Sequence, residues 1–128
     1  MIRNAKGPSM TRTPDSLETL RARLAEFAAE RDWDQFHNPK NLAMALSGEA
    51  GELLEHFQWL TFKQAASLPP EARDEVALEA ADVLLFLIRL CDKLDIDLAA
   101  AADRKLALNA QKYPVSKSRG RPTKYSKL

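Results

Sequence analysis

The sequence predicts an all-α protein built as a four-helix bundle. Apolar residues recur at the helical spacing of three and four along most of the chain. Glycine occurs only four times in 128 residues, and no alternating run of β-branched residues indicates a strand. Four amphipathic segments joined by short links are typical of an antiparallel bundle, and the length favours a single domain.

The first two helices have recognisable start signals. Asp15 and Ser16 offer N-cap side chains to the segment LETLRARLAEFAAERDW, in which leucines and a phenylalanine share one side. Asn38 and Pro39 suit the N-cap and the first helical position of the second helix. We expect that helix to run to about Leu60.

The later helices follow from proline and aspartate positions. The segment TFKQAASLPP predicts a loop or a short turn of helix. Pro70 then begins a long third helix that ends near Leu94. Asp95 or Asp97 caps a fourth helix, which Pro114 should stop because proline cannot continue a helix.

Charge is distributed unevenly along the chain. We expect a helical domain at 16–113, a disordered leader at 1–15 and a flexible basic tail at 114–128. The tail has five Lys or Arg residues and no acid, whereas residues 16–113 have 11 basic and 17 acidic side chains, a net charge of −6. An acidic body argues against a nucleic-acid-binding surface and fits a protein that gathers carboxylates around cations.

Cysteine content and hydropathy indicate a cytoplasmic protein. Cys91 is the single cysteine and cannot form an internal disulfide, which favours a reducing compartment. Its apolar neighbours predict a core position. No apolar run reaches 18 residues and no signal-peptide pattern is present, so we expect no membrane partner.

Four carboxylates stand in stripes that should be buried. Glu49 and Glu52 are three apart on the apolar side of the second helix, and Glu79 and Asp82 repeat this spacing in the third. Unpaired buried carboxylates are costly, and neither helix offers a basic residue nearby. A divalent cation would neutralise them, and an all-oxygen ligand set suits Mg²⁺ or Mn²⁺ rather than zinc.

The third helix also predicts partner subunits. Between Val76 and Leu90 it is apolar on nearly every side, so it must be covered on nearly every side. One small bundle cannot easily do this. We therefore expect a homo-oligomer.

The segments GEAGELLEHFQW and EAADVLLFLIRL resemble the ExxE…ExxD signature of the MazG-like all-α nucleoside triphosphate pyrophosphohydrolases. The segment LAEFAAERDWDQFHNPKNLAMAL, the FQW triplet, LNAQKYP and a terminal KY are similar to the dCTP pyrophosphatase branch. The likeness covers roughly residues 16 to 125. It implies a helical bundle that forms dimers and commonly tetramers, with Mg²⁺ held by Glu49, Glu52, Glu79 and Asp82.

The activity implied is hydrolysis between the α and β phosphorus atoms, giving a monophosphate and pyrophosphate. A water, activated by the metal or held by a carboxylate such as Glu49 or Glu52, would attack the α-phosphorus. No GxxxxGK[ST] loop is present, so side chains and metal must bind the phosphates. The biological role implied is removal of unwanted nucleotides from the precursor pool.

Two further sets of side chains are candidate substrate contacts. The first set lies near the end of the fourth helix and could bind the phosphates and the base, with a solvated helix face as the alternative. Its members are Lys105, Asn109, Lys112 and Tyr113. Around the first two helices, Trp33, His37, Asn41 and Trp59 are candidate base or sugar contacts, with core packing as the alternative for the two tryptophans. Phe86, on the third helix, is a further candidate whose ring could stack on the substrate. His37 could equally be a structural hydrogen-bonding residue.

Phe86 departs from the family pattern. Vertebrate members tend to have tyrosine there, four residues after Asp82, and phenylalanine lacks that hydroxyl. The resemblance implies a (d)NTP pyrophosphohydrolase that prefers dCTP, and the missing hydroxyl keeps dUTP or several NTPs open as alternative substrates. The alternative from a different functional class is a non-enzymatic helical adaptor. Its acids would lie on the surface, and its basic tail would contact anionic partners.

Overall fold

The computed structural model describes residues 16–128, and every regular element in that range is helical. The leader predicted at 1–15 lies outside the described residues. In chain order the elements are α1 (Leu17–Glu30), a 3₁₀ turn (Asp34–Phe36), α2 (Pro39–Glu55), α3 (Phe62–Ala66), α4 (Pro70–Lys93), α5 (Leu98–Lys112), α6 (Val115–Ser118) and a second 3₁₀ turn (Tyr125–Lys127). Within the described range, no helix combines the length and the hydropathy needed to cross a membrane.

Side-chain caps begin α1, α2 and α5 close to where the sequence predicts these helices to start. Ser16 accepts a hydrogen bond from the Thr19 backbone N–H at 3.1 Å, and Asn38 accepts one from Asn41 at 2.9 Å. These bonds satisfy backbone donors that the first turn of a helix leaves free. Asp97, rather than Asp95, caps α5 through the Ala100 N–H at 3.0 Å.

Helix α2 ends at Glu55, before the end predicted near Leu60. After Glu55 the backbone makes tight turn bonds, including Leu60 N–H to the Phe57 carbonyl at 2.9 Å. Thr61 and Gln64 then exchange side-chain and backbone hydrogen bonds as a capping box that begins α3. The apolar pattern continued past Glu55, but the local cap started a new helix.

The described chain divides into two compact units, one ending at Asp95 and the other spanning Ile96–Leu128. In the first unit, α4 packs against both α1 and α2. Ala28, Leu42, Ile88 and Cys91 form its buried apolar core, which confirms the core position predicted for Cys91. Joint packing of α5 with the other three long helices stays a prediction.

The second unit contains α5, α6 and the predicted tail. The tail is partly helical, and Gly120 has a φ of +73°, a conformation that glycine adopts without strain. Tyr125 packs edge-on against Tyr113 with ring centroids 5.8 Å apart. This contact connects the end of the tail to the end of α5, while the mobility of the tail stays a prediction.

Large apolar side chains remain on the surface of this single chain. Trp59 is 86% exposed, Phe62 97% and Leu78 71%. Soluble monomeric proteins rarely expose so many large apolar side chains. Trp59 lies on the connection between α2 and α3, Phe62 begins α3, and Leu78 lies on α4. Such exposure is typical of surfaces that another protein covers.

Candidate functional site

Three of the four predicted acids meet where α2 packs against α4. One carboxylate oxygen from each of Glu49, Glu79 and Asp82 lies within 4.8 Å of the other two. Glu79 and Asp82 share a face of α4 because they are three residues apart, and Glu49 reaches them from α2. Glu49 and Glu79 are partly buried, whereas Asp82 is exposed.

One atom in this cluster lacks a partner among the described residues. The Oε1 oxygen of Glu79 is buried and makes no hydrogen bond with any of them. A buried acceptor left unsatisfied costs about 1–3 kcal/mol, more when it is charged. A cation placed among the three carboxylates would supply the missing interaction, so the residues fit a metal ion.

Glu52 stands at the edge of the same cluster. Hydrogen bonding with Glu49, followed by the negative charge of Glu49, raises the pKa of Glu52 above its ordinary value. Burial and the charge of Asp82 act in the same direction. The four predicted acids are therefore neighbours, and without a cation the presence of Glu49 disfavours ionisation of Glu52.

Protein cations from residues 16–128 do not pair with these acids. The ion pairs formed in that range involve other carboxylates, namely Glu18, Glu30, Asp34, Glu75 and Asp92. Hard oxygen ligands without nitrogen or sulfur suit Mg²⁺ or Mn²⁺. The arrangement can thus hold a divalent cation and, through it, an anionic phosphate.

A second charged cluster lies further along α4 and is centred on Arg89, which is only 5% exposed. Its Nη2 donates to Asp34 Oδ1 at 2.5 Å, its Nη1 to Asp92 Oδ2 at 3.2 Å and its Nε to His37 Nδ1 at 3.0 Å. Lys93 also donates to Asp34 Oδ1, at 2.6 Å. The cluster ties the 3₁₀ turn before α2 to the C-terminal half of α4.

These contacts shift two pKa values. The hydrogen bond from Lys93, and after it the one from Arg89, hold the pKa of Asp34 below its ordinary value. Burial lowers the pKa of His37, and the positive charges of Arg89 and Lys93 lower it further against the opposing charge of Asp34. These effects favour the neutral form of His37.

An aromatic ring, that of Trp33, flanks His37. Trp33 contacts it edge-on with centroids 6.3 Å apart, and Phe27 meets Trp33 in the same manner at 5.8 Å. Trp33 is 44% exposed, so part of its ring is free for another molecule. A partly exposed aromatic surface beside fixed polar groups is a common feature of ligand sites.

The remaining predicted contacts of the first unit have different surroundings. Asn41 uses its side-chain amide to donate to the Phe36 carbonyl at 3.2 Å, a structural bond. Trp59 is largely exposed, while Phe86 is partly buried. Phe86 shares a face of α4 with Asp82 and Arg89, because the three are spaced by four and three residues.

In the second unit, the predicted contacts are mostly exposed, with Asn109 partly buried. Lys112 Nζ lies 4.7 Å from the centre of the Tyr125 ring, and Tyr113 contacts the same ring. Cation–π contact of this kind holds a lysine near an aromatic face without neutralising it. Lys112 and Tyr113 therefore both contact the ring of Tyr125, which the sequence pattern did not indicate as a site residue.

A model of the MazG-like family matches residues 44–128, which include the four acids. The chain belongs to the MazG-like family. Mouse dCTP pyrophosphatase 1 is 46% identical to this MazG-like chain over 115 residues, 88% of this chain and 68% of the mouse protein. The rat protein of the same name is 44% identical over 126 residues, 97% of this chain and 74% of the rat protein.

A solved structure is also similar to this MazG-like protein. It is the crystal structure of a pyrophosphatase from Archaeoglobus fulgidus, with a TM-score of 0.73 and 38% sequence identity. The likeness covers 83% of this chain and 99% of the archaeal chain. The chain therefore has a fold similar to that of a solved pyrophosphatase over most of its length.

Arg89 and Asp34 are functional candidates that sequence reasoning missed in this MazG-like chain. An arginine within LFLIRLC breaks an apolar helix just as the acids do, and that anomaly could have marked Arg89. Asp34 gave no comparable signal, since a single acid in a polar link is ordinary. Only the fold brings it within reach of Arg89 and Lys93.

Proposed function

We propose that this protein is a Mg²⁺-dependent nucleoside triphosphate pyrophosphohydrolase that prefers dCTP and releases the monophosphate and pyrophosphate. The observation that carries the proposal is the cluster of Glu49, Glu79 and Asp82, whose oxygens converge with no cationic side chain of residues 16–128 paired to them. The relatives named dCTP pyrophosphatase 1, at 44–46% identity over most of the chain, support the choice of substrate.

Glu49, Glu79 and Asp82 would hold the metal, with Glu52 beside them as a fourth ligand, and Mn²⁺ is expected to substitute for Mg²⁺. When bound, the ion would screen the charge of the triphosphate and of the reaction's transition state. Glu49 and Glu52 are the proposed catalytic pair. The pKa of Glu52 is raised by its hydrogen bonding with Glu49, so the two carboxylates are neighbours, and either one could accept a proton from the attacking water.

The base is proposed to bind beside Trp33 and His37, with Trp59 and Phe86 as further apolar contacts. Partial exposure of Trp33 and its contact with a fixed imidazole support this placement. The phosphate contacts expected at Lys105, Asn109, Lys112 and Tyr113 come from the family resemblance and remain predictions.

The proposal includes a cytoplasmic homo-oligomer, a dimer or tetramer, in which the four long helices form the bundle. The exposed apolar residues Trp59, Phe62 and Leu78 support the oligomer, since a partner subunit would remove them from water. The single, buried Cys91 supports a reducing compartment.

A pyrophosphate-release assay tests the function. The purified protein is incubated with each dNTP and NTP in turn, with Mg²⁺ or with a chelator, and compared with Glu49→Gln. We expect Mg²⁺-dependent release, greatest with dCTP and lost in Glu49→Gln. Release from no triphosphate would contradict the proposal and favour the adaptor.

The same panel decides between substrates. Phe86 carries no hydroxyl to bond a sugar or base, which favours a wider substrate range as the second candidate. Equal turnover of dUTP or of several NTPs would replace the dCTP preference with that broader activity.

A further inference from the structure

The hydrogen bond from Arg89 determines which ring nitrogen of His37 carries the proton. Arginine stays protonated in proteins, so its Nε always carries hydrogen and can only donate. The Nδ1 of His37 lies 3.0 Å away and must therefore offer a lone pair. A neutral imidazole whose Nδ1 accepts has its proton on Nε2.

The neighbouring charges hold that state. Arg89 and Lys93 face His37 with positive charge, and Asp34, which both cations hold, is the one acid among the described groups that act on it. A second proton on the ring would place a cation against two others and break the bond from Arg89. The pKa of His37 is lowered accordingly.

The Nε2–H group makes no hydrogen bond with any of residues 16–128, which leaves it available to a ligand. The His37 side chain is partly exposed beside the Trp33 ring. Arg89 lies seven residues after Asp82, on the same face of α4, which corresponds to a rise of about 10 Å. The donor therefore lies two helical turns along α4 from the acids.

From this geometry we infer that Arg89, held by Asp34 and Asp92, is a positioning residue that presents His37 Nε2–H as a hydrogen-bond donor to an acceptor atom of the nucleobase. Cytosine offers such acceptors at its ring nitrogen N3 and its carbonyl oxygen. The inference deepens the proposed function and rests on it, since it concerns how the same nucleotide is held.

Nuclear magnetic resonance tests the histidine state without any catalytic assay. The chain has two histidines, so a His56→Asn variant assigns the signals. Long-range proton–nitrogen correlation spectra of the metal-free protein should show His37 protonated at Nε2 alone, at neutral pH and below the pH at which a free histidine gains its second proton. A proton on Nδ1, or ordinary titration, would overturn the inference and leave the proposed function intact.

Two matched substitutions test the role in binding. His37→Asn keeps an acceptor near the Nδ1 position for Arg89 but has no donor at the Nε2 position. We expect KM for dCTP to rise about 3- to 10-fold with kcat nearly unchanged, the pattern for loss of one neutral hydrogen bond to bound substrate. His56→Asn, at the end of α2, is the control and should keep the parental KM. An unchanged KM in His37→Asn would refute the inference.

A double-mutant cycle tests whether Arg89 acts through His37. Arg89→Lys lacks the planar guanidinium fork that reaches Asp34, Asp92 and His37 together, so it should raise KM in the parental protein and raise it little further when His37→Asn is already present. Independent, multiplicative effects would overturn the positioning role. If Arg89→Lys does not fold, Asp34→Asn, which removes a more exposed partner, takes its place in the cycle. If the parental protein released no pyrophosphate, the proposed function would be wrong. The spectra would still test the state of His37, because they do not depend on turnover.

Discussion

Replacing Glu79 by glutamine should have opposite effects on stability without and with metal. An oxygen of Glu79 lies within 4.8 Å of oxygens of Glu49 and Asp82. At that distance two like charges repel by about 1 kcal/mol in water and about 3.5 kcal/mol at the effective dielectric of about 20 found near protein surfaces. Glu79 is partly buried and Asp82 exposed, so we expect the substitution to raise the metal-free unfolding free energy by about 1–3 kcal/mol.

For a domain of this size, each kcal/mol corresponds to a melting-temperature change of about 4 °C. Metal-free Glu79→Gln should therefore melt about 4–12 °C above the parental protein, by calorimetry in chelator. With Mg²⁺ at 1,000 times Kd the order should reverse, because binding then adds about 4.1 kcal/mol to the parental protein and much less to the variant. Pyrophosphate release should be lost.

Asp74→Asn is the matched control. Asp74 is an exposed acid on the same helix, so its substitution should leave both melting temperatures nearly unchanged. A lower melting temperature for Glu79→Gln in chelator would show that Glu79 is paired structurally rather than repelled. An equal response of both proteins to Mg²⁺ would show that the cluster is not the metal site.

Three further measurements follow from the fold. Leu42→Ala removes the largest fully buried side chain and should lower the unfolding free energy by about 2–5 kcal/mol in urea titrations, whereas Met44→Ala, at a 60% exposed position of the same helix, should change it little. Lowering the pH should reduce stability in two stages, because the folded-state pKa values of His37 and Asp34 lie below their ordinary values of 6.5 and 3.8. The unfolded chain then takes up each proton first, so stability is lost as pH falls below about 6.5 and again below about 3.8. Melting curves of His37→Asn should lack the first stage, and those of Asp34→Asn should show a smaller second stage, because the pKa of Glu18 is also lowered by its bond with Arg21. Variants with unchanged profiles would refute the assignment. Phe62→Asp should reduce the assembled mass in light scattering while Lys63→Asp should not, and equal masses would place the subunit contact elsewhere.

The helices were predictable because their signals are local. Asn38 and Pro39 start α2, and Pro70 starts α4, as the sequence indicates, since capping and proline geometry act within one turn. The end of α2 was not predictable from the apolar pattern, because the capping box at Thr61 competed with its continuation. Local hydrogen bonding decided that boundary.

The acid cluster could be predicted for a different reason. Carboxylates inside apolar stripes are costly, so the sequence alone indicates that Glu49 and Glu79 serve a shared purpose. The Arg89 cluster depends on contacts between residues more than 50 positions apart, such as Arg89 with His37. Sequence patterns within one helix or turn cannot predict this contact. It forms only because the 3₁₀ turn packs on α4.

The small interior of the single chain bears on how the protein behaves in the cell. With Ala28, Leu42, Ile88 and Cys91 as its buried apolar residues among those described, the fold gains little from its own interior. If neighbouring copies supply the missing cover, folding becomes linked to mass action, and the melting temperature should rise with protein concentration. Expression level would then set not only how much enzyme is present but also what fraction of it survives dilution and proteolysis.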